Sequence, residues 1–191
     1  MQSWVKSVDF FLYDIPIDLK VTFFPNQFLN EKIKLALGKS ELAWLKSESK
    51  SYGISVDSNL SNSMQIVIMK EKLKDRGLYS ILEELNEVKK NIILESQKNS
   101  RELIVWLYSN QGEMRFGSEN RLFLILADVS DLDQSWKMKR DMFSLKPKIE
   151  EYLDNFKKSK LKRIDFDFNK NKYKALSDTI FVIRNYHSLK L

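Results

Sequence analysis

The chain has 191 residues, 43% hydrophobic and 30% charged, with 32 Lys and Arg against 26 Asp and Glu, one His and no Cys. That length suits a domain able to bury a core without disulfides or a structural metal, and the absence of Cys excludes thiol nucleophiles, Cys-based zinc sites and iron–sulfur clusters. Chemistry must then run on carboxylates, lysines and hydroxyls, and the net charge of +6 suits a polyanion as well as plain solubility.

In chain order, 8–13 and 16–24 read as two strands joined tightly through Asp14 and Ile15. Residues 31–48 carry a helical pattern interrupted at Gly38, 51–63 read as a polar loop, and Met64 to Met69 as a short strand. Leu78, Ile81, Leu82, Leu85, Val88 and Ile92 mark an amphipathic helix. Ser100 is placed to cap a helix over 100–110, and Leu122 to Ala127 form an apolar strand. Met138 to Phe156 keep helical spacing, with Pro147 expected to kink or split the helix, and 164–168 and 179–184 close the chain as strands. No repeat or Gly/Ser-rich linker divides the chain, so one domain over 1–191 is expected. The apolar runs are far shorter than the about 20 residues that cross a bilayer, and the N-terminus carries no export signal. These features predict a cytoplasmic protein without a membrane partner.

The chemical feature is Asp9 followed by Asp18-Leu19-Lys20. A two-residue turn at Asp14-Ile15 pairs position 9 with 20, and alternation along the strand puts Asp18 and Lys20 on one face. Asp9, Asp18 and Lys20 then converge there, while Phe10, Leu12, Ile17, Leu19, Val21 and Phe23 form an apolar opposite face. Two carboxylates that close favour a cation between them, and Mg²⁺ with its preference for oxygen ligands is the natural one. The bland alternative is an exposed cross-strand ion pair between Asp9 and Lys20, with Asp18 a solvated neighbour.

The stretch from Val8 to Thr22, with Asp9, Asp18 and Lys20 at these positions, resembles the core hairpin of the PD-(D/E)xK nuclease superfamily. That superfamily includes type II restriction endonucleases and related repair and defence nucleases. The resemblance implies an α/β fold with a mixed central β-sheet flanked by helices. It also implies a Mg²⁺ (or Mn²⁺) ion held by Asp9, Asp18 and the backbone carbonyl of Leu19, and a water served by Lys20. Val8 stands where the motif often has Pro, and eight residues precede Asp9 where the family usually places a helix. Either the chain is part of a longer protein or a later helix fills that place. The function expected is Mg²⁺-dependent hydrolysis of DNA, with a homodimer a convenient way to cut both strands; the alternative is a non-catalytic nucleic-acid-binding or assembly subunit.

Arg115, Arg121, Lys137, Lys139 and Arg140 are candidate phosphate contacts. The basic run 157–163 reads rather as a solvated helix end, and His187 as a surface residue. Gln111, just after the helix over 100–110, is a candidate for a polar contact at the site. Trp44, Trp106 and Trp136 read as core or interface residues, and Gly112 to Gly117 lack nucleotide-loop spacing.

Overall fold

A computed structural model describes residues 8–110 and 120–185. Gln111, the segment Gly112 to Gly117 with Arg115, and His187 lie outside the described residues. The helices are α1 (Asn26–Leu37), α2 (Glu41–Ser49), α3 (Asn62–Asp75), α4 (Tyr79–Lys98), α5 (Arg101–Ser109) and α6 (Met142–Asp154). The strands are β1 (Phe10–Leu12), β2 (Ile15–Phe23), β3 (Arg121–Asp128), β4 (Lys162–Phe168) and β5 (Asn171–Arg184).

The five strands form one mixed sheet in the order β1-β2-β3-β5-β4. Two antiparallel hairpins, β1–β2 and β4–β5, are joined by β3, which runs parallel to both β2 and β5. A strand with parallel neighbours on each side is normally covered on both faces and apolar throughout. β3 meets that description, with all eight of its residues buried. On one face Leu122, Leu124 and Leu126 pack with Leu12, Ile17, Ile180, Val182 and Leu145 of α6. On the other, the Tyr108 ring of α5 lies 4.4 Å from Phe166 and meets Phe123 edge-on at 5.5 Å. The protein is therefore mixed α/β, with helices on both faces of the sheet.

The chain divides into two compact units, one comprising residues up to 24 with those from 95 onward, the other 25–94. The boundaries carry no linker composition, because β2 runs through Phe24 directly into Pro25 and α1, and α4 passes residue 94 without a break. The second unit is helical around Trp44, Leu45, Met69, Leu73 and Leu85. Its Glu41 is buried and meets Lys70 at 2.9 Å and Lys89 at 2.7 Å. Burial opposes ionisation of Glu41, but the two ammonium groups outweigh it and hold its carboxyl below the usual range.

Several local expectations change. Met64 to Met69 is not a strand but the middle of α3: Ser61 caps it, accepting from the Met64 amide at 3.3 Å, and Gln65, Met69 and Leu73 recur every fourth residue on its buried side. A short apolar run has no period of its own, so the cap decides. Gly38 ends α1 with a left-handed φ of 67°, and Ser40 caps α2 two residues later. The segment before α6 is a separate 3-10 helix, Leu132–Arg140. Pro147 lies inside α6 without splitting it. Ser100 precedes α5 without a side-chain cap, and its hydroxyl is engaged by Lys162. Residues 158–160 form a short 3-10 turn rather than the end of a long helix, and Lys158 pairs with Asp14. Among the described residues no helix is long and apolar enough to cross a membrane.

At the far end of β3, Arg184 donates to Asp128 from Nε at 3.0 Å and from Nη2 at 2.8 Å, and the Asp128 side chain is 1% exposed. Removing one partner of a buried pair leaves a charge stranded. Asp128→Ala is expected to lower unfolding stability by about 3–5 kcal/mol in urea titration, whereas Lys98→Ala, which breaks an exposed pair, should not shift the midpoint measurably.

Candidate functional site

The hairpin turns one residue earlier than its sequence suggests. Tyr13 and Asp14 form the turn, Tyr13 with φ of 56°, and the register runs Leu12 with Ile15, Phe11 with Pro16 and Phe10 with Ile17. This register brings Leu12 and Ile15 together in the core, whereas a turn through Asp14 and Ile15 would strand Ile15 at the tip. The turn is buttressed as well: Tyr13 lies 5.8 Å from the Phe156 ring, beside the Lys158–Asp14 pair. A slip of two positions preserves strand parity, so Phe10, Leu12, Ile17, Leu19 and Phe23 still face the core. Val21, at 42% exposure, does not join them.

Asp18 and Lys20 share the other face, and Lys20 Nζ sits 2.8 Å from Asp18 Oδ2. The expected position of Asp9 changes. It does not face Lys20 across the hairpin, since its amide donates to the Ile17 carbonyl at 3.2 Å. Its Oδ2 accepts from the Leu19 amide at 2.7 Å, closing the open end of the hairpin where main chain no longer pairs. Asp18 and Lys20 are thus in direct contact, with Asp9 bound to the backbone between them.

The parallel ladder adds a neighbour that the hairpin alone does not contain. Asp18 pairs in register with Arg121, Arg121 with Ser177, and Ser177 with Lys162, which makes one polar row across β2, β3, β5 and β4. Arg121 Nε is 3.5 Å from Asp18 Oδ2, and both side chains are almost fully enclosed. Ser177 Oγ donates to the Arg121 carbonyl at 2.8 Å. The Arg121 guanidinium lies over the Tyr108 ring, 5.4 Å from its centroid. Asn120 stitches the end of the row: its carbonyl accepts from the Asp18 amide at 3.0 Å, and its side chain bonds the Leu176 amide at 2.8 Å and the Pro16 carbonyl at 3.3 Å. Tyr108, Asn120 and Ser177 escape a reading of the sequence because their relevance depends on which strands lie side by side.

The predicted phosphate contacts separate. Arg121 is 3% exposed and committed to Asp18, so it is an internal partner rather than a surface contact. It opens a strand that is covered on both sides, where a cation needs a carboxylate beside it. Lys137, Lys139 and Arg140 are exposed on the 3-10 helix, whose Met138 packs into the core on the α6 side of the sheet. They therefore lie across the sheet from Asp18 and Lys20. Arg115 lies outside the described residues. Trp136, read as core or interface, is 61% exposed.

Oxygen donors of the kind Mg²⁺ prefers are present in Asp9, Asp18 and the Leu19 carbonyl. Asp18 Oδ2 is buried and receives no well-directed hydrogen bond despite its two cationic neighbours. Among the described residues no group of three or more His, Cys, Asp or Glu side chains is placed to hold a metal ion. Two carboxylates with one main-chain oxygen are compatible in kind with an ion that keeps several waters. Comparison with protein-family models, curated proteins and solved structures finds no match.

Burial pushes the Tyr108 hydroxyl well above its ordinary value of 10.0, against the opposing pull of the Ser177 hydrogen bond and the Arg121 charge. A proton held more tightly by the folded state contributes stability below the unfolded pKa and loses it as pH rises beyond that value. As pH rises above about 10, melting temperatures should therefore fall more steeply for the native protein than for Tyr108→Phe. Parallel profiles would show that the hydroxyl is not confined as described.

Proposed function

We propose that this chain is a metal-dependent phosphodiesterase of the restriction-endonuclease-like kind, hydrolysing DNA with Asp18 and Lys20 at its centre and acting as a homodimer on duplex substrates. The observation that carries this reading is the 2.8 Å contact between Asp18 and Lys20 on the second arm of the hairpin. Its setting agrees with the resemblance to the PD-(D/E)xK core: an antiparallel hairpin, then helices, then a strand parallel to the second arm.

Hydrolysis of a phosphodiester forms a P–O bond to water and breaks the bond to one sugar oxygen, while negative charge grows on the phosphate. Lys20, whose side chain is 36% exposed beside a buried carboxylate, supplies positive charge where that phosphate would lie and orients the attacking water. Asp18 holds the ammonium, and Arg121 is a positioning residue that holds Asp18. Asp9, Asp18 and the Leu19 carbonyl would hold Mg²⁺ or Mn²⁺, which when bound polarises a phosphoryl oxygen and lowers the pKa of a water.

A second reading, a non-catalytic nucleic-acid-binding or assembly subunit, is favoured by the enclosure of Asp18. That residue is 6% exposed with cations on two sides, and Asp9 is bound to main chain. Cleavage of plasmid and single-stranded DNA in Mg²⁺ separates the two. The nuclease reading expects Asp18→Asn and Lys20→Ala each to reduce cleavage by at least about 100-fold while the fold is retained by circular dichroism. Unchanged rates in both variants would remove these residues from the chemistry, and a native protein that binds DNA without cutting it would favour the subunit.

A further inference from the structure

The 3-10 helix Leu132–Arg140 has nine residues, an unusual length for a conformation in which positions three apart eclipse one another. Ser135 and Met138 are its buried positions, three apart. The period turns Trp136 and Lys139 outward along one line and Lys137 and Arg140 along another. Met142 and Phe143 follow in the chain at the start of α6. Trp136 is 61% exposed, Met142 62% and Phe143 93%. Three large apolar side chains left this open within eight residues mark a candidate contact surface.

The cations among them are held in place against aromatic rings. Lys137 Nζ lies 5.7 Å from the centroid of the Trp136 ring, and Lys139 Nζ lies 4.8 Å from that of Phe23. Asp133 is the acidic residue on the outward side of this helix; the Asp131 side chain instead caps its first turn by accepting from the Asp133 amide at 3.1 Å. Asp141, at its end, is bound by Ser144 and lies 3.6 Å from Arg184. The exposed positions of this ridge therefore carry three cations, Lys137, Lys139 and Arg140, between Trp136 and Phe143.

We propose that this ridge is a binding site for single-stranded nucleic acid, with bases stacking on Trp136 and Phe143 and phosphates neutralised by Lys137, Lys139 and Arg140. Base stacking needs an open aromatic face and a strand whose bases are unpaired, and backbone neutralisation needs cations spaced between those faces. The ridge supplies both. A duplex presents phosphates but keeps its bases stacked inside, so it would leave Trp136 and Phe143 without use. Because the ridge packs on the α6 side of the sheet and Asp18 and Lys20 lie on the other, the site does not depend on hydrolysis.

The test uses the full chain in EDTA, so that cleavage cannot intervene, with fluorescein-labelled oligothymidylate of about 20 nucleotides. Fluorescence anisotropy is expected to show salt-sensitive binding that is tighter than to a duplex of equal length. Trp136→Ala and Phe143→Ala should each weaken it by about tenfold, with Trp136→Phe largely restoring it. Lys137→Glu with Lys139→Glu should weaken it and flatten its salt dependence. Trp136 and Phe143 are exposed, so these variants leave the buried positions of the helix untouched. Absence of binding, equal affinity for duplex, or binding indifferent to Trp136 and Phe143 would each overturn the proposal. So would association with phosphatidylglycerol vesicles through the same residues in place of oligonucleotide binding.

Discussion

Everything in the sheet-bearing unit depends on β3 being buried along its whole length. A strand with parallel neighbours on both sides and a helix over each face has no solvent to receive its charged ends, yet it begins with Arg121 and finishes with Asp128. Each end faces an opposite charge on the strand beside it: Arg121 lies 3.5 Å from Asp18 of β2, and Asp128 is hydrogen-bonded by Arg184 of β5. The two pairs are of opposite polarity and tie opposite flanks of the sheet to the central strand. Buried pairs of this kind are weak evidence for added stability but costly to break by removing one partner.

The pairing also determines what Asp18 can do. Considered only within its hairpin, Asp18 is one of two surface carboxylates near a lysine. In the sheet it is enclosed, touched by Lys20 on its own strand and by Arg121 on the next, whose guanidinium lies over the Tyr108 ring. Positive charge near Asp18 thus comes from the protein itself. The candidate chemistry then centres on a lysine presented to solvent from a fixed carboxylate, with Arg121 acting behind it.

Helical unit 25–94 follows the same rule in miniature. Glu41 is buried and would be costly there without Lys70 and Lys89. Burial lowers the pKa of Lys89, and its attraction to Glu41 works against that loss. The surface ridge along Leu132–Arg140 is the contrary case. Its apolar side chains are not enclosed, and the cations beside them lie against aromatic rings rather than in buried ion pairs.

The sequence by itself determined the apolar strand at 122–127, the amphipathic helix that begins after Leu78, the strand at 164–168, the second half of β5 though not its start at Asn171, and the placement of Asp18 and Lys20 on one face of β2. Apart from the uniformly apolar run 122–127, these rest on a local period or on strand alternation, and the alternation survived a two-residue slip in register because its period is two. It did not determine the turn at Tyr13-Asp14, where the gain from seating Leu12 and Ile15 together in the core is made by other strands. Nor did it show that 64–69 is helical, since four apolar residues carry no distinguishing period and the deciding cap lies upstream at Ser61. Only the tertiary structure decided that Arg121 belongs to Asp18 rather than to the surface, that Asp9 binds the Leu19 amide, and that Lys137, Lys139 and Arg140 occupy the other side of the sheet. Those outcomes depend on which distant strands become neighbours, and parallel pairing across a long connection leaves no local signature in the residues that it brings together.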